Sequence, residues 1–128
     1  MLIEWTEKLD LGIEEIDTQH KSLADCINRL HHLYITSSDP KELEEVLKFL
    51  ETYVAYHFNS EEKRFEKNGY PDLETHKKGH REFERTTSNF VHTYQNGHVI
   101  TDELFTFLHN WFISHVGVSD KKVKNYLV

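Results

Sequence analysis

Residues 67–83 read KNGYPDLETHKKGHREF. Asn68-Gly69 is a helix stop, because glycine takes the left-handed conformation that ends a helix without a Cβ penalty. Pro71 and Asp72 restart the chain, since proline suits the first helical turn and aspartate caps it. Two charged, helix-forming runs separated by so short a link fold back on each other. Beyond the restart, His76 and His80 sit one turn apart between the apolar positions Leu73 and Phe83. Whether they are surface decoration or are held together turns on the rest of the chain.

Working outward, the same punctuation recurs. In SSDPKEL (37–43), Asp39 can cap, Pro40 suits the first helical position and Glu42 completes a capping box. In QNGHVITDE (95–103), Asn96-Gly97 is another stop and Thr101 a cap candidate. These marks predict helices over 18–39, 40–68, 71–96 and 101–116. Each carries an apolar stripe at helical spacing. The first runs Leu23, Ile27, Leu30, Tyr34. The second runs Val46, Leu50, Tyr53 or Val54, then Phe65. The third includes Leu73, Phe83, Phe90 and Tyr94, and the fourth Leu104, Leu108 and Trp111. Four amphipathic helices with short links make an all-α, up-down-up-down four-helix bundle. Residues 1–16 lack a helical period and form an N-terminal arm, packed through Trp5, Leu9, Leu11 and Ile13. A short segment follows the fourth helix, and residues 1–128 read as one domain.

Composition bounds the function. A formal charge of −7 leaves nothing to neutralise phosphates, which excludes nucleic acid as a partner. No apolar run approaches the roughly 18 residues that cross a membrane, so no membrane partner is expected. MLIEWTEKLD has no basic region ahead of an apolar stretch, so no secretory leader is expected. Cys26 stands alone, which rules out a disulfide framework and points to a reducing cytoplasm. Ten histidines in 128 residues are the anomaly.

Polar residues intrude on the inner stripes. His20 lies three before Leu23. His57 and Glu61 continue the spacing from Leu50 and Val54 toward Phe65. His115 lies four after Trp111. Buried polar groups need partners, and a carboxylate needs one most. Depth agrees: His57 and Glu61 lie roughly 10 to 16 Å from one end of the bundle, and His76 and His80 roughly 7 to 13 Å, at 1.5 Å per residue. His20 and His115 belong to the same end, so six residues can meet. Asp120 is a seventh candidate, because a turn at Gly117 can bring it back over His115.

Bland readings exist for each residue singly. A four-apart pair is expected by chance among so many histidines. HKKGH lacks the glutamate of a zinc-protease motif. His57 with Glu61 has helix salt-bridge spacing, and His115 can cap a helix end. Together these are independent explanations for one pattern, and a shared metal site replaces them all. His31, His32, His92 and His98 fall off the stripes and read as solvated, as does the EEKR run (61–64) apart from Glu61. His109 stays ambiguous. Five histidines and two carboxylates exceed one tetrahedral zinc and suit two ions sharing carboxylates. Imidazole suits iron, copper, zinc or nickel. No Glu-x-x-His pair of the ferritin-like di-iron class is present.

DTQHKSL (17–23), HFNSEE (57–62), THKKGH (75–80) and WFISHVGVSD (111–120) resemble, in order and spacing, the signature of the hemerythrin family, in its bacterial single-domain form. The resemblance covers nearly the whole chain and implies a non-haem di-iron centre that binds O2 reversibly, for transport, storage or delivery. It implies one iron on His76, His80 and His115 and the other on His20 and His57. Glu61, Asp120 and an oxo or hydroxo group would bridge them. Phe65 stands where bacterial members often carry Met. The alternatives are a di-iron oxidase or a nitric oxide or peroxide reductase, with an electron-donating partner, and an oxygen or redox sensor with a protein client.

Overall fold

The computed structural model describes residues 3–36, 40–95, 102–116 and 124–127. They form an all-α four-helix bundle: α1 (Glu14–Ile35), α2 (Pro40–Lys67), α3 (Leu73–Gln95) and α4 (Asp102–Ser114). None of these helices is long and apolar enough to cross a membrane.

The helix ends show what the chain uses as punctuation. α2 stops as its sequence demands. Gly69 takes φ +68°, and the Tyr70 N–H reaches back to the Phe65 carbonyl at 3.0 Å. Asn68 Nδ2 holds the Arg64 carbonyl at 2.9 Å. α1 instead begins at Glu14, earlier than the predicted 18. Its N-cap, Ile13, makes no side-chain cap bond. The Asp17 carboxylate reaches back to the N–H groups of Leu11 (2.9 Å) and Gly12 (3.1 Å), and Gly12 turns the chain at φ +81°. Glu14, Glu15 and Asp17 in the first turn suit the positive end of the helix dipole. The expected partner of Glu42 in a capping box, Asp39, lies outside the described residues, and the Glu42 carboxylate pairs with Arg29 of α1. The stop at Asn96-Gly97, the Thr101 cap and the Gly117 turn also lie outside them. At its C-terminal end α4 widens into a π turn at His115 and Val116.

The core is the set of inner stripes: Leu23, Ile27 and Leu30 from α1, Leu47, Leu50, Val54 and Phe58 from α2, Phe83 and Val91 from α3, and Leu104, Leu108 and Phe112 from α4. Of the two α2 candidates, Val54 is buried and Tyr53 only half-buried. His31, read as solvated, packs half-buried against Phe105 with ring centres 4.9 Å apart, and burial pulls its pKa down. His32 and His92 are exposed as expected.

The arm is pinned to α1. Ile3 exchanges two 2.8 Å hydrogen bonds with the Asn28 amide, Leu9 and Leu11 are buried, and Lys21 Nζ lies 5.4 Å over the Trp5 ring. A second apolar cluster of Leu11, Ile16, Phe65 and Leu127 closes one end of the bundle, with Tyr70, Leu73 and Tyr126 against it. α2 holds the C-terminal segment there. Arg64 Nη1 donates to the Leu127 carbonyl and Asn68 Nδ2 to the Tyr126 carbonyl, each at 2.9 Å.

Candidate metal centre

At the end of the bundle that this cluster closes, the polar intruders on the stripes meet. His20 comes from α1, His57 and Glu61 from α2, His76 and His80 from α3, and His115 from the π turn after α4. His20, His57 and Glu61 have no exposed surface; His80 and His115 are buried and His76 is half-buried. Glu61 is the hub. Its Oε1 lies 3.0 Å from His115 Nε2, 3.4 Å from His80 Nε2 and 3.5 Å from His57 Nε2, and its Oε2 lies 3.9 Å from His20 Nε2. His20 and His57 bring their Nε2 atoms to 3.1 Å. The His76 and His80 rings lie 4.6 Å apart at nearly a right angle. Asp120 lies outside the described residues.

Among the described residues, two four-residue groups emerge, each with donor atoms within 4.8 Å of one another: His20, His57, Glu61 and His115, and Glu61, His76, His80 and His115. They share Glu61 and His115.

The donor chemistry fits metal ions. His57 Nδ1 lies 2.8 Å from the Gln19 amide oxygen, which only accepts. Neutral His57 therefore keeps its proton on Nδ1 and turns the Nε2 lone pair inward. His80 Nδ1 lies 2.8 Å from the Glu62 carboxylate, which fixes the same tautomer. Its Nε2 lone pair then faces a Glu61 oxygen, acceptor against acceptor. A cation between them resolves that opposition. Nitrogens each about 2.1 Å from one ion and at right angles are roughly 3.0 Å apart, and the His20–His57 separation is of that size. One buried carboxylate shared by two groups suits two ions better than one.

Aromatic rings wall the site. Phe58 stacks on His80 with centres 3.9 Å apart and planes within 1°, Trp111 stacks on His115 at 4.8 Å, and Phe65 meets His76 edge-on at 4.6 Å. A cavity of about 350 Å³ opens between α3 and α4, reaching His76, His80 and His115 past Thr75, Gly79 and Ser114. A larger cavity, about 740 Å³, lies between α1 and α2 beside Arg29, Glu45 and Phe49 and touches none of the cluster. Cys26 lines it, and burial pushes its thiol up to about 12, which makes it a core residue rather than a nucleophile.

Residues 11–127 match the family model of the hemerythrin HHE cation binding domain. The chain belongs to the hemerythrin family. This hemerythrin is 33% identical over 120 residues to a bacteriohemerythrin of Stenotrophomonas maltophilia, covering 94% of this chain and 78% of that protein. A bacteriohemerythrin of Pseudomonas aeruginosa is 34% identical over 116 residues, covering 91% and 75%. A crystal structure of wild-type hemerythrin superposes with a TM-score of 0.91 at 28% identity, over 99% of this chain and 98% of that one. The fold and the family expected from the four quoted motifs are those found.

Two polar residues that hydrogen-bond to the cluster carry no signal in the sequence. Glu62 was grouped with the solvated EEKR face, yet its side chain is only 12% exposed and reaches His80. Gln19 reaches His57 and donates to Ser60 Oγ at 3.3 Å. Both sit immediately beside a stripe residue, about 100° around the helix, where apolar periodicity carries no signal.

Proposed function

We propose that this hemerythrin binds O2 reversibly at a non-haem di-iron centre, as a carrier or store. His76, His80 and His115 would hold one iron and His20 and His57 the other, with Glu61 and Asp120 as their carboxylate ligands. The observation that carries this reading is the pair of four-residue groups that share the buried Glu61 carboxylate.

The di-iron group, when bound, supplies the electrons that O2 binding draws on and O2 release returns. The chain's part is to keep that exchange reversible. Neutral imidazoles add no negative charge, so Glu61 and Asp120 offset the ions without over-stabilising their ferric state. Phe58, Trp111 and Phe65 pack against the histidine rings and exclude water. The opening between α3 and α4 reaches the group's His76, His80 and His115 past Thr75 and Gly79.

The test is an anaerobic optical titration of the reduced, iron-loaded protein with O2, followed by flushing with inert gas. A carrier regains the reduced spectrum without added reductant and cycles repeatedly. Permanent oxidation after one exposure, with continuous O2 consumption only when an electron donor is supplied, assigns an oxidase instead.

A further inference from the structure

The two hydrogen bonds that orient the inward-facing rings differ in charge. His57 Nδ1 is held by the neutral amide of Gln19, and His80 Nδ1 by the carboxylate of Glu62, each at 2.8 Å. His80 has little other freedom. Its ring lies parallel to Phe58 with centres 3.9 Å apart, which fixes the ring plane. A half-turn about the Cβ–Cγ bond keeps that plane but turns a carbon, Cε1, toward Glu61 in place of Nε2 and takes Nδ1 away from Glu62. The Glu62 bond decides between the two settings. Glu62 is itself anchored from outside, because Arg81 pairs with the same oxygen, Oε2, that meets His80. The relay therefore runs from a guanidinium that is 53% exposed, through a carboxylate, to a ring nitrogen that faces the hub.

We propose that Glu62 is a positioning residue for the metal centre: it holds His80 with Nε2 inward and makes that imidazole the stronger donor, while Arg81 limits how much charge it lends. The proposal rests on the di-iron reading above. A carboxylate on the far nitrogen of a ligating histidine raises the basicity of the ring, and an amide does so far less. The two halves of the centre are then electronically unequal through their surroundings as well as through their ligand number. The more electron-rich half is the one held by His80.

The experiment uses iron-loaded wild-type protein and the variants Glu62→Gln, Glu62→Ala and Arg81→Gln, with helix content checked by circular dichroism. Two quantities are read: the ferric–ferrous midpoint potential by anaerobic redox titration, and iron affinity by competition with a chelator. Glu62→Gln keeps an acceptor on His80 and loses the charge, so iron loading holds and the potential moves positive. Glu62→Ala loses the bond as well, and iron affinity falls about 10- to 100-fold. Arg81→Gln frees the Glu62 charge and moves the potential negative. Opposite signs for the Gln substitutions at 62 and 81 are what a merely structural role would not produce. Shifts of the same sign, or none, in variants that hold as much iron as wild type overturn the proposal for Glu62 alone. A wild-type chain that takes up no iron overturns the di-iron reading, and this proposal with it.

Discussion

Thr87 turns a hydroxyl into the core of α3, 1% exposed, with no hydrogen-bond partner among the described residues. Phe83 and Val91, one turn away on either side, are buried and apolar. A buried donor left unmet costs about 1 to 3 kcal/mol, and an isosteric methyl removes that cost. Thr87→Val is therefore expected to stabilise the chain by about 1 kcal/mol; urea unfolding measures it, and an equal loss would mean that the hydroxyl has a partner. The contrast with the metal end is instructive. Glu61, His57 and His80 are as polar and as buried, but they face one another within and across α2 and α3. That convergence was legible at single residues, because His20, His57, Glu61, His76, His80 and His115 interrupt apolar stripes at helical spacing. Gln19 and Glu62 interrupt nothing, and only the bundle's geometry brings them to His57 and His80.

At the scale of the elements, boundaries were legible where the signal is local. Asn68-Gly69 ends α2 because a left-handed residue lets the Tyr70 N–H recover a free carbonyl. The start of α1 was misplaced because its support is not at the cap. Asp17 lies a full turn inside the helix and reaches back to Leu11 and Gly12. The two glycines at 69 and 79 separate backbone strain from packing, since an added Cβ meets nothing within 4 Å at either. Gly69 sits at φ +68°, so Gly69→Ala costs about 1 kcal/mol in the left-handed region. Gly79 lies within α3, where Gly79→Ala gains roughly 0.5–1 kcal/mol by lowering the entropy of the unfolded chain. Chemical denaturation of the two variants should give opposite signs, and a loss at both would mean that Gly79 is needed for close approach.

Across the whole molecule, the bundle divides into two parts. Leu and Phe from the four helices fill one part, and a ring of imidazoles around one carboxylate fills the other. The arm and the C-terminal segment both close the second part, through Leu11, Leu127, Arg64 and Asn68. The inward lone pairs of His57 and His80 face Glu61, and cations between them turn that opposition into attraction. Metal is then part of what holds this end together, as a ligand bound only by the folded chain stabilises it by mass action. The di-iron reading requires two irons at this end. The most direct measurement is elemental analysis of protein loaded anaerobically with ferrous iron and freed of excess metal. Two irons per chain are expected. One iron per chain, or zinc in its place under iron-replete conditions, would contradict it.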